Sequence, residues 1–144
     1  MKTMIPIAIC LILCSNTCNT KEKHYKEFHI IPDNYKGRIV IIFNQIHGKD
    51  IDIKGDTLFF RIDSNGILKT KYPKFQESSK GNYFFYSSDL KNKIPEWDPL
   101  TNEDQRNGIA IFCRGAGEEL INGKMEIIEE YFIGDSSLYH KINR

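Results

Sequence analysis

A chain of 144 residues, with 20 Lys and Arg against 19 Asp and Glu, is long enough for one domain with a real core and leaves little for a second. Near-zero net charge excludes a general nucleic-acid surface, which needs a basic excess. No serine-rich, proline-rich or like-charge tract marks a long disordered region, and no repeat of solenoid length is present.

Lys2 precedes an apolar run from Met4 to Leu13 that only Pro6 interrupts, the layout of a secretory signal peptide. As a helix the run would be about 15 Å long, against a hydrocarbon core of roughly 30 Å, so it predicts export and not a permanent span. The stretch Cys14-Ser15-Asn16-Thr17-Cys18 follows and resembles the processing region of a bacterial lipoprotein signal, in which a cysteine becomes the acylated first residue. Residues 1–18 are then the signal, with Cys18 or Cys14 taking the lipid. Residues 19–27 form a charged tether and 28–144 a single domain held at the cell envelope. Cleavage after a small residue, releasing a secreted or periplasmic protein, is the alternative. Cys113 is left unpaired in the first case and is expected to be buried, because Ile109, Ile111 and Cys113 share one face of a strand. A Cys18 to Cys113 disulfide is the rival.

Phe28 to Ile31 reads as a first strand, ended by Pro32, which lacks a donor. Asp33 to Gly37 is turn chemistry. Arg38 to Gln45 is the strongest strand, apolar on both faces and so predicted to be covered on both. Ile46 to Lys54 reads as a half-exposed edge strand with charges that discourage edge pairing. Lys54-Gly55-Asp56 turns into a strand from Thr57 to Ile62, and Asp63-Ser64-Asn65-Gly66 signals a hairpin into Ile67 to Thr70. Tyr83 to Tyr86 is an aromatic strand. Lys91 to Gly108 lacks periodicity and is predicted to be a long loop. Ile109 to Arg114 resumes β structure, and Asn122-Gly123 predicts a type I′ hairpin; its second arm continues to Ile133 as a strand, with a helix that carries Met125, Ile128 and Phe132 on one face as the alternative. A short turn or helix through Leu138 and Tyr139 ends the chain.

Eight or nine short strands separated by turns predict an all-β fold, an antiparallel β-sandwich of Ig-like or transthyretin-like type, with a small β-barrel as second choice. The segment Ile31-Pro32-Asp33-Asn34-Tyr35-Lys36-Gly37 leading into Ile39 to Phe43, with Gly66-Ile67-Leu68-Lys69-Thr70 after a strand and turn, resembles an uncharacterised family of small bacterial secreted or lipid-anchored proteins. The resemblance implies export and a β-rich domain, and it carries no catalytic residue or substrate.

Candidate chemistry is sparse. Asp50, Asp52 and Asp56 with His47 could offer oxygen ligands to Ca²⁺, but Lys54 would place a cation among them, and solvated edge charges account for the pattern. His24, His29, His47 and His140 have no metal-ligand spacing; His29 alternates with Phe28 and Ile30 and is predicted to face solvent. Gly115-Ala116-Gly117-Glu118 lacks the ending of a phosphate loop and reads as a hairpin turn or bulge. No nucleophile, acid pair or cofactor motif is present, so no cofactor is expected. The predicted function is a non-enzymatic binding module, attached to the membrane through an N-terminal lipid, that meets an unknown protein or glycan partner and no nucleic acid. Trp97, Asp50 and Asp52 are the candidate contacts. The alternatives are a small secreted hydrolase and an immunity-type lipoprotein that binds a toxin.

Overall fold

The structure, a computed structural model, describes residues 24–74, 79–98 and 108–142. Nine strands and one short helix lie among these residues: β1 (Lys26–Ile31), β2 (Gly37–Ile42), β3 (Asp52–Lys54), β4 (Thr57–Arg61), β5 (Ile67–Lys69), β6 (Gly81–Tyr86), β7 (Asp89–Ile94), β8 (Ala110–Ile121), β9 (Lys124–Gly134) and α1 (Ser136–Ile142). They form the two layers of a sandwich. Sheet A has the order β3-β4-β1-β6-β7 and sheet B the order β5-β2-β9-β8.

The sandwich was legible in the strand pattern; the pairing within it is mixed. β1 runs parallel to both β4 and β6, and β2 runs parallel to β5. Consecutive strands often lie in opposite layers. Pro32 stops β1, the chain turns through Asn34 at positive φ, and β2 returns in sheet B. The turn at Asp63 to Gly66 likewise is no hairpin, because it carries the chain from β4 in sheet A to β5 in sheet B. Crossing between layers lets a strand rejoin its sheet in the same direction as an earlier one.

Between the layers, Ile31, Phe60 and Phe84 of sheet A meet Ile39, Ile41, Tyr131 and Ile133 of sheet B. The second face of β2 is also covered: Val40 and Ile42 pack with Ile128. Outside sheet B, Ala110, Phe112 and Phe132 pack under Leu138 and Tyr139 of α1. Asp135 starts that helix, its carboxylate accepting from the Leu138 amide at 2.9 Å and the Ser137 hydroxyl at 2.6 Å. The Asn122-Gly123 hairpin joins β8 to β9 with both residues at positive φ, as a type I′ turn requires.

Two sequence expectations change here. β1 begins at Lys26, so Lys26 and Glu27 belong to the sheet and not to the tether. The first part of the aperiodic stretch after Lys91 is also ordered, as strand β7 beside β6.

Gly66 has φ +80, and a Cβ there would overlap the Tyr35 hydroxyl and stand 2.8 Å from the Arg38 carbonyl oxygen. That hydroxyl donates to the same carbonyl at 2.7 Å, so the position has neither the conformation nor the space for a side chain. Gly66→Ala is expected to destabilise the fold by about 1 to 3 kcal/mol. Urea denaturation should show a lower midpoint with an unchanged slope.

Candidate functional site

Alternation along β1 sends Glu27, His29 and Ile31 into the sandwich and Phe28 and Ile30 outwards. His29 is 0 % exposed, which corrects the expectation of a surface-facing histidine. Taken alone, the polar side of β1 looks like the wet one. The partners reverse it: Phe59, Tyr83 and Phe85 from β4 and β6 form an outer apolar face with Phe28, and the inner side of β1 faces Glu129 and Tyr131 of β9.

The interior therefore holds a charged cluster. Glu129 is 1 % exposed; one oxygen accepts from Arg114 Nε at 2.9 Å and the other from Lys74 Nζ at 2.5 Å. Lys74 also lies 3.6 Å from Glu27 Oε2 and 5.0 Å from the centre of the Phe43 ring. The two carboxylates are balanced by an ammonium and a guanidinium, which is the condition for keeping charge in a core. Burial alone would raise the Glu129 carboxyl. The charges of His29, Lys74 and Arg114 outweigh it and hold that group at about 2.

Arg114 reaches this cluster because of a bulge. The register between β8 and β9 shifts between Phe112 and Gly115, and Cys113 takes φ +46. One extra residue swings Cys113 out beside Tyr139 and aims Arg114 at Glu129. Cys113 is exposed, which corrects the expectation of burial: strict alternation fails at the bulge. Gly115 to Glu118, read as a turn or bulge, continues β8 just past it.

His29 stacks on Phe84 and meets Tyr131 edge-on. Its Nδ1 lies 3.2 Å from the Tyr131 hydroxyl, whose proton burial and the neighbouring Glu129 charge hold on to well above the ordinary range. The other ring nitrogen, Nε2, and Glu27 Oε2 are buried with no hydrogen-bond partner. They stand 3.8 Å apart, and Nε2 is 3.9 Å from Glu129 Oε1. A small pocket of about 20 Å³, bordered by Tyr25, Tyr72, Glu27 and Lys74, adjoins the cluster.

A second polar site lies at the β3 edge. Asp50 and Asp52 are exposed and line an open pocket of about 180 Å³ with Lys49, Arg61, Asp63 and Phe59. Asp50 pairs with Lys71 at 3.1 Å, Asp52 with Arg61 at 3.2 Å, and Asp63 with Lys49. Phe59 continues into the row of rings across the outer face of sheet A, where Phe28, Phe59 and Tyr83 are half-buried. Lys54 lies over Phe59 at 5.7 Å and Lys93 over Tyr83 at 4.6 Å. Trp97 does not join this site. It follows β7, at the opposite edge of sheet A from β3, and stacks half-buried on Phe112 with ring centres 5.5 Å apart.

The signal segment with Cys14 and Cys18 lies outside the described residues, as do 99–107 of the predicted loop. Among the described residues, no helix is long and apolar enough to cross a membrane.

Residues 23–136 match the model of a family of unknown function (DUF6843), and the chain belongs to that family. No curated protein matches the sequence. The fold is similar to that in a crystal structure of a "Putative Lipoprotein from Bacillus anthracis", with a TM-score of 0.53 at 12 % identity, covering 76 % of this chain and 70 % of that one. At that identity the likeness concerns the fold.

Proposed function

We propose that the protein is exported, held at the bacterial cell envelope by a lipid on Cys18 or Cys14, and acts as a non-enzymatic module that binds an envelope glycan along the β3 edge. The observation that carries this reading is the continuity of the Asp50, Asp52, Arg61 and Asp63 pocket with the rings of Phe59 and Phe28. Sugars present hydroxyls that pair with carboxylate and guanidinium groups, and C–H faces that rest against aromatic rings. A shallow charged pocket running into a row of rings offers both. The signal-like segment supports export, and the fold shared with a protein described as a lipoprotein agrees with it.

The hydrolase alternative needs a histidine and carboxylates that substrate can reach. His29, Glu27 and Glu129 do converge, but between the two sheets, with His29 fully covered. That placement favours binding over hydrolysis.

Two measurements test the reading. Intact mass of the protein purified from its own membrane should exceed that of the processed chain by the mass of acyl chains; an unmodified mass would remove the anchor from the proposal. Binding to purified envelope polysaccharide, followed by co-sedimentation, should fall at least about tenfold in Asp52→Ala and in Phe59→Ala, as loss of a central contact does. Trp97→Ala, at the other edge, should bind as the parent does. Capture of a protein with no saturable polysaccharide binding would exchange the glycan for a protein partner and overturn this part.

A further inference from the structure

We propose that Glu27, His29 and Glu129 form a site for one transition-metal dication of the Zn²⁺ type, which clasps sheet A to sheet B. Glu27 and His29 come from β1 and Glu129 from β9, so an ion held by all of them joins the layers at their centre. One ligand atom from each residue lies within 4.8 Å of the others. The separations of 3.8 and 3.9 Å around His29 Nε2 are too long for hydrogen bonds. Ligand atoms about 2.1 Å from a tetrahedral ion sit about 3.4 Å apart, so the two separations at His29 close by a few tenths of an ångström and the carboxylates approach each other by at most about 1.4 Å.

Further observations point to a ligand at this place. His29 Nε2 and Glu27 Oε2 are buried, 3.8 Å apart and without hydrogen-bond partners, where buried polar atoms ordinarily have them. The opposite side of the imidazole is already engaged, because the Tyr131 hydroxyl stands at Nδ1. A metal-bound histidine donates its second ring N–H to an oxygen in this manner, which fixes the ring and leaves Nε2 for the ion. One imidazole with carboxylates is a donor set suited to zinc, with a fourth position open to water.

Charge decides what must move. Glu27 and Glu129 are balanced by Lys74 and Arg114, so a dication added to the intact cluster would leave excess positive charge in the core. Lys74 is the replaceable partner: its side chain is 22 % exposed, and its ammonium lies between the two carboxylates. When the ion enters, Lys74 swings out through the adjoining pocket and Arg114 stays on Glu129. The ammonium is thus a competitor for the site, and its removal should tighten binding.

Titration calorimetry of the chelator-treated full chain with Zn²⁺ should show one equivalent bound and a raised melting temperature. Glu27→Gln, which changes a carboxylate that makes no hydrogen bond through Oε2, should keep the fold and weaken binding about tenfold or more; Lys74→Met should strengthen it by a similar factor. A purely structural ion-pair cluster gives the opposite for Lys74→Met, namely a lower melting temperature with no zinc response. The proposal is overturned if neither parent nor Lys74→Met binds one equivalent, if Glu27→Gln binds as tightly as the parent, or if Ca²⁺ binds in preference to Zn²⁺.

Discussion

Ile41→Asp should leave no folded protein at room temperature. Ile41 is 0 % exposed in the centre of β2, between β5 and β9, and it packs in the cluster that joins the sheets. The substitution removes an aliphatic side chain whose burial contributes about 1.5 to 3 kcal/mol. It also places a carboxylate there with no partner, and the cost of an unpaired buried charge is larger still. The sum reaches the whole stability of a domain this size, about 5 to 15 kcal/mol. Far-ultraviolet circular dichroism should lose the β signal and the protein should collect in the insoluble fraction. Ile46→Asp, at a site 85 % exposed, is the control and should fold normally.

Acid is expected to undo the fold through Glu129. Its carboxyl is held at about 2, from an ordinary value of 4.5. A depressed folded value means that the folded state binds the proton less readily than the unfolded chain. The group's contribution is therefore complete above pH 4.5 and is lost as pH falls from there to about 2. The size is on the order of 3 kcal/mol for a group this buried. With a chelator present, urea midpoints measured between neutral pH and pH 2 should fall steeply through that window. Glu129→Gln should already be destabilised by about 3 to 5 kcal/mol at neutral pH, since Lys74 and Arg114 lose their counter-charge. Its stability should then depend much less on acid. An equally steep profile in Glu129→Gln would assign the acid sensitivity to other carboxylates.

Local chemistry in the sequence was enough to find β2 and the Asn122-Gly123 hairpin, because a β-branched run and a type I′ turn carry their own conformational preference; for 124–133 it left strand and helix both open, and the structure has strand β9 there. The all-β sandwich follows from such pieces. The parallel neighbours of β1 do not, since direction depends on which layer each strand joins. Asp50 and Asp52 were found as edge charges, and the structure adds the pocket they share. The buried cluster was hidden for a physical reason: whether His29 faces core or solvent is decided by β4, β6 and β9, and Arg114 enters only through a bulge that breaks period-two alternation. One signal was present in the chain order, namely Glu27 and His29 spaced by two on a strand already apolar on its other side.

β1 lies in the middle of sheet A with a parallel neighbour on each side, Phe28 opposite Phe59 on β4 and Tyr83 on β6. It precedes the other described strands, and its backbone partners begin only at Thr57 and Gly81. Closing those long loops before any ladder forms makes acquisition of the native state slow. A chain whose opening strand cannot pair early stays without its central ladders until β6 has been made.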